Sequence, residues 1–524
     1  MRLIHRCQQG FTTVTLMGVM MIGGLLVAAS FAAVDPDIQL TAKDEDGKQA
    51  YAAAEAGLNY YVNRLGQDNG YYLKCTNVPQ PNGPGSSPVN QKWTTGTTDP
   101  RTFLNIPGYS AKYAIELLPA PGYTACVENT QQSMVDQATG SFKIRSTGVS
   151  NNAKRSIIAT MRRKTFIDYI YFTDFETLPP ATYGSEFWRD WAAENCVNYR
   201  GLRHDSCTDI TFPDFDVIAG PLRTNDSILV CGTPEFGRDA NDKIELNQAS
   251  PGFEECNDGA SPVWNGTRDY PAGILPMPTS NAELANAADY TFSGETTIVL
   301  NGSSMTVRSS AGTQTLPLPP DGGVVYVNNT TCAGGYQRKN TLPSGLNTSI
   351  TSNPGGSSVA GCGNVYVRGN YSHDLTIGAA NDIIVTDDLV RNSGSPSALL
   401  GLVANNFVRV YHPVNNWDDD DEDCDNNGGP FTITIHASIL AVNQSFITDN
   451  WYCGDPLGTL NVDGSIAQRF RGTVGQHSNG NPTDGYEKNY TYNDNLRFRE
   501  PPHFVNPTES AWQIIRQNEQ VPPR

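Results

Sequence analysis

The sequence predicts an α+β fold: a long N-terminal helix, an antiparallel sheet packed on it, then a large all-β region built as a solenoid or a sandwich. Three observations lead there. Phe11 to Val34 carries no charged residue, long enough as a helix to cross a bilayer at about 1.5 Å per residue. Small and apolar residues from Ala50 to Leu65 recur at helical spacing. Beyond Thr165, short apolar runs alternate with Gly and Asn turns and no helical pattern intervenes.

Composition narrows the class. With 524 residues, two or three folded units are expected. The 49 glycines and 34 prolines point to turns and short strands rather than helical bundles. The net charge is −18; losing Arg2 and Arg6 with a leader would bring it to about −20. Such a surface repels phosphate backbones, so nucleic acid is not an expected partner.

The first element is a short basic segment, Arg2, His5 and Arg6, ending at Gly10. It places that end in the cytoplasm and makes residues 11–34 a transmembrane helix. A secretory signal, cut near Ala28-Ala29-Ser30 or Ala32-Ala33, is the alternative. Asp35-Pro36 should bend the helix. A second helical stretch, about Ile38 to Leu65, offers Ala50, Ala53, Ala54, Gly57, Leu58, Tyr61 and Leu65 as a packing face and Lys43, Asp44, Glu45, Asp46 and Lys48 as a polar one.

A basic leader, Gly10 and then Phe11 at the head of an apolar run resemble the type IV prepilin leader. The resemblance implies cleavage between Gly10 and Phe11 by a prepilin peptidase, methylation of the new terminus, and retention of the helix. Ala50-Tyr51-Ala52-Ala53-Ala54-Glu55-Ala56-Gly57-Leu58 looks like the spine helix of minor pilins. Where most pilins carry glutamate five residues after the cut, this chain has Thr15. That departure resembles the tip pseudopilin of type II secretion and implies a subunit that need not dock beneath another. Gly18, Gly23, Gly24, Ala28 and Ala29 would permit close helix contact in assembly.

Runs at Lys112–Leu118, Ser141–Gly148 and Lys154–Met161 read as strands of an antiparallel, pilin-like sheet. Further on, short runs such as Gly323–Val327, Asn364–Gly369, Leu375–Ile377, Asp382–Thr386 and Thr459–Ile466 suggest a stacked solenoid or a β-sandwich, and the wording of Gly363–Gly369 and Leu375–Val385 resembles the rungs of a right-handed β-helix. Gly220–Asp226, Leu400–Asn406 and Gly464–Gln468 running into Arg471–Gly475 resemble a β-rich domain found behind pilin-like leaders. The expected organisation is a leader at 1–10, transmembrane helix 11–34, spine helix 35–66, pilin-like α+β head 67–165, β-solenoid-like domain 166–500 and a polar C-terminal tail 501–524.

Of eleven cysteines, Cys7 lies in the leader and ten follow, an even count that suits an oxidised framework. Nearest-neighbour pairing is the economical choice: Cys75–Cys126, Cys196–Cys207, Cys231–Cys256, Cys332–Cys362 and Cys424–Cys453.

Catalytic signatures are absent: no phosphate loop, His-Glu-x-x-His helix or Gly-x-Ser-x-Gly elbow. The seven histidines are scattered and read as surface or turn residues. Asp423-x-Asp425-x-Asn427-Gly428 matches the opening of a calcium loop, but Thr434 stands where the closing glutamate belongs. A weak Ca2+ site and a solvated acidic loop both remain open; no other cofactor is expected.

The resulting expectation is a non-enzymatic minor or tip subunit of a type IV pilus-like fibre, presenting its β-rich head for adhesion or assembly initiation. Its partners would be other pilins or pseudopilins, the prepilin peptidase, the membrane, and a surface or polysaccharide ligand. It would be single-pass in a bacterial inner membrane with its head outside the cytoplasm, reaching the cell surface or pilus after assembly. The alternatives are a pseudopilin of a type II secretion-like system and a pilin-anchored, carbohydrate-active β-helix protein.

Overall fold

A computed structural model describes residues 12–68, 71–73, 91–92, 103–123, 133–136, 141–319, 322–332, 361–415, 424–507 and 512–523, apart from 215, 249, 479–480 and 498. Described residues are mostly β, and they divide into two compact units. The second, residues 163–511 with 137–140, is inserted in the chain between two strands of the first.

In the first unit, α1 (Thr12–Gln67) is one continuous helix of 56 residues. It passes through Asp35-Pro36 as a single element: a proline removes one backbone bond, and a helix this long absorbs that loss. The expected single-pass anchoring in an inner membrane is overturned. Among the described residues no helix is long and apolar enough to cross a membrane. A span needs about 20 apolar residues in succession.

Lys112–Leu118, Ser141–Ser150 and Ala153–Arg163 form an antiparallel meander. Trp512–Gln520 adds beyond Ala153–Arg163. The C-terminal segment is therefore a strand rather than a free polar tail. Its sequence reads as a tail because only Trp512 is buried, while Arg516 and Glu519 face solvent as edge-strand charges do. Ala54, Leu58, Tyr61 and Leu65 of α1 pack on Ile115, Leu117, Phe142, Ile144 and Ile157.

The helix lies unusually close to the sheet because two glycines permit it. A Cβ on Gly148 would sit 2.5 Å from Ala54 N and nearer still to Ala50 O; one on Gly57 would sit 2.8 Å from the Tyr113 ring. Ser146 Oγ donates to Ala54 O at 2.7 Å. A strand side chain is thus bonded directly to the helix backbone.

The second unit is dominated by a 22-stranded curled sheet made mostly of parallel ladders, with an antiparallel excursion at residues 296–317. One ladder stacks Tyr290–Ser293, Gly323–Asn328, Leu375–Ala379, Leu400–Ala404, Ser438–Ala441 and the Ser465–Gln468 part of Thr459–Phe470. It continues not with later residues but with Tyr171–Phe175, Leu222–Thr224, Lys243–Leu246 and Thr267–Asp269. A second ladder behaves alike, Glu487–Tyr492 pairing with Val217–Ala219. The earliest layer of the unit therefore rests on its latest.

Stacking order and chain order disagree, so the chain must return from one end of the ladder to the other. Tyr270–Asp289 makes that return. Along it, Ala272 N donates to Leu246 O, Leu275 N to Asn225 Oδ1, and Asn281 Nδ2 to Ala379 O and Val403 O; Asp289 N reaches Val324 O. Midway, Pro278 O accepts from Arg469. The interior of this unit is aliphatic, with Val325, Ile377, Leu402, Ile439 and Ile466 stacked in successive layers.

Candidate functional site

Gly10 and Phe11 lie outside the described residues, as do Cys75, Cys126 and Asp423. Thr15, Gly18, Gly23 and Gly24 contribute helical backbone to α1. Four of the five expected disulfides are present: Cys196–Cys207, Cys231–Cys256, Cys332–Cys362 and Cys424–Cys453.

Asp425 and Asn427 of the acidic loop are both described, and their backbones are held by separate partners. Asp425 sits in a two-residue strand opposite Asn415, and Asn427 N donates to Pro413 O. Among the described residues no group of three His, Cys, Asp or Glu side chains is arranged to hold a metal. His412 departs from the expectation for histidines: it is buried, between Asp449 O at 3.1 Å and Asn426 Oδ1 at 2.8 Å.

The densest chemistry in the second unit lies where its earliest and latest layers meet. Strand alternation places residues two apart on one side. Asp174 in Tyr171–Phe175 is followed two residues on by Glu176, just past the strand end, and Arg469 in Thr459–Phe470 by Arg471, likewise just past its end. Arg469 Nη1 meets Asp174 Oδ2 at 3.3 Å and Arg471 Nη1 meets Glu176 Oε2 at 3.3 Å. Lys488 Nζ donates to Asp216 Oδ2 at 2.7 Å. The early layer supplies the carboxylates and the late layer the cations.

Further bonds fix each group. Arg471 donates to Ile210 O and Thr211 O at 2.9 Å and lies 3.5 Å above the Phe212 ring. Asp174 accepts from Asn225 and Tyr199. Burial pushes the Asp174 and Glu176 carboxyls above the usual carboxylate range, against the pull of their arginines. Burial likewise lowers the Lys488 ammonium, against the attraction of Asp216.

A small cavity beside this joint is lined by Tyr171, Phe212, Gln468, Arg471, Lys488 and Tyr490. The carboxylates face guanidinium, ammonium, amide and phenol groups of the protein itself. The arrangement neutralises charge within the fold and acts as a latch. From the sequence alone no pairing role falls to these residues; the signal for it is the matched spacing Asp174-x-Glu176 and Arg469-x-Arg471, which has no meaning until the two strands are neighbours.

No protein-family model matches the chain, and none of the curated proteins compared matches it. Among solved structures, the competence-associated pilin ComZ from Thermus thermophilus aligns over 91% of this chain and 98% of that one, with 12% identity and a TM-score of 0.32.

Proposed function

We propose that this chain is a non-catalytic, pilin-like minor or tip subunit of a fibre. In this reading α1 and its sheet form the assembly module, and the inserted β-rich unit is the displayed head, serving adhesion or assembly initiation. The observation that carries the proposal is the seating of α1 on an antiparallel sheet through Gly148, Gly57 and Ser146. That packing follows directly on a segment in which a basic leader, Gly10 and Phe11 resemble a prepilin cleavage site. Thr15, in place of the usual glutamate, supports a tip or minor position. The expected partners are other pilin-like subunits and the prepilin peptidase.

The same reading takes the inserted unit as a β-solenoid. Its support is the in-register parallel stacking of ten successive strands in one ladder. Mass spectrometry of the native amino terminus tests the functional proposal. A chain beginning at N-methylated Phe11, recovered with sheared fibres, is the expected result. A chain beginning at Met1 or near Val34 would overturn it.

A further inference from the structure

The helix α2 (Glu186–Asn195) stands on an excursion of the inserted unit closed by Cys196–Cys207. Its base is fixed: Ala192, Cys196 and Cys207 are buried together, with Tyr183 and Trp191 against them. Arg189 donates to Tyr183 O and Gly184 O, and Tyr183 Oη accepts from Thr208 N. On this rigid base the helix exposes its aromatics. Phe187 is 69% exposed and Trp188 50%. The Phe187, Trp188 and Trp191 rings form an edge-to-face row at 5.3 and 5.6 Å.

Beside that row runs a second stripe. Glu186, Asp190 and Glu194 are spaced four apart, all exposed, which places them along one side of the helix next to the rings. Exposed aromatics alone say nothing about their partner; the flanking carboxylates do. They repel anionic lipid and nucleic acid, while ring faces and carboxylates together attract ammonium and guanidinium groups. Each ring turns an edge to the next, so the row offers no continuous flat platform for sugar rings.

We infer that α2 is a docking surface for a polypeptide segment bearing Lys or Arg beside apolar residues, held by Phe187 and Trp188 and by the stripe Glu186, Asp190, Glu194. The inference is drawn from the arm alone and stands whatever the chain assembles into.

The test uses the whole protein, a short peptide of alternating Lys and Leu as probe, and Trp fluorescence or calorimetry at physiological ionic strength. Binding is expected to weaken about tenfold or more in Phe187→Ala/Trp188→Ala and in Glu186→Gln/Asp190→Asn/Glu194→Gln. Because the protein is acidic overall, a third variant, Glu235→Gln/Glu283→Gln/Glu487→Gln, removes three exposed carboxylates elsewhere and should bind as the parent does. All substitutions are at exposed positions, and circular dichroism verifies folding. Equal weakening in the third variant, no binding of the peptide, or equal binding of a Glu/Leu peptide would overturn the inference. Binding of zwitterionic vesicles in its place would also overturn it, in favour of a membrane surface.

Discussion

Lys488 Nζ lies 2.7 Å from Asp216 Oδ2, although the two residues are 272 positions apart. This bond joins the last layer of the inserted unit to its first, and its chemistry predicts how the joint fails. Lys488→Met should leave the buried Asp216 with Arg471, 3.9 Å away, as its remaining cationic partner, costing about 3 kcal/mol. Lys488→Met/Asp216→Leu should recover part of that loss. Denaturant unfolding of both single variants and the double variant measures the coupling; additive losses would show that the pair is not a latch.

Glu245 should shape the acid limb of stability. Burial works to raise its pKa, but hydrogen bonding from Lys164 and the charge of Arg223 outweigh it, and the net shift is downward. A carboxyl lowered on folding adds stability above its unfolded value, about 4.3, and loses it as pH falls through the lower folded value. Glu245→Gln should be less stable than the parent at neutral pH, and the gap in Tm should narrow below about pH 4. A gap that stays constant from neutral pH to pH 3 would argue against this role.

Gly148 limits how closely α1 can approach. Gly148→Ala would drive a methyl into Ala50 O and Ala54 N, and backbone cannot yield as a flexible side chain does. A loss of about 3 kcal/mol is expected, read as reduced hydrogen-exchange protection across Ser141–Ser150. Unchanged protection there would mean that helix and sheet are not held by this contact.

Trp512 closes the core of the first unit from the C-terminal strand. Its ring meets Phe142 at 4.7 Å and Tyr72 at 5.2 Å, both edge-on. Trp512→Ala should cost about 3–5 kcal/mol. Removing residues 512–524 should destabilise the sheet further, since Gln520 accepts from buried Arg145. Proteolysis of the two forms compares them directly; equal resistance to the parent would show the strand to be dispensable.

Cys196–Cys207 closes a loop with a sequence separation of 11. Constraining a loop of that size stabilises by about 3 kcal/mol on chain-entropy grounds. Cys196→Ser/Cys207→Ser should therefore make α2 the first site of protease cleavage. Cleavage elsewhere first, with α2 intact, would show that packing rather than the disulfide holds the arm.

Much of this molecule was legible before folding. Alternation in Lys112–Leu118 and Ser141–Ser150, the small face Ala50–Leu65, and nearest-neighbour cysteines each involve residues close in the chain, where geometry follows from spacing. The strand at 512–520 was not, because its polar residues are those of an edge, and an edge strand is identified by its neighbour. The calcium pattern is local in the same way, a matter of spacing alone: Asp425 lies in a two-residue strand and Asn427 N donates to Pro413 O, while Asp423 lies outside the described residues.

Local order, then, was written in the sequence: which segments extend, which coil, which cysteines meet, and which helical face is small enough to lie against a sheet. What only the tertiary structure decided is which layer stacks on which. Parallel strands with similar aliphatic faces are interchangeable as patterns, so nothing in Tyr171–Phe175 announces that it belongs beside Ile466–Phe470. That choice rests on Asp174, Glu176 and Asp216 meeting Arg469, Arg471 and Lys488, and on the return of Tyr270–Asp289 along the ladder. Both depend on long-range charge pairing and loop closure, which become energies only when distant parts of the chain are already together.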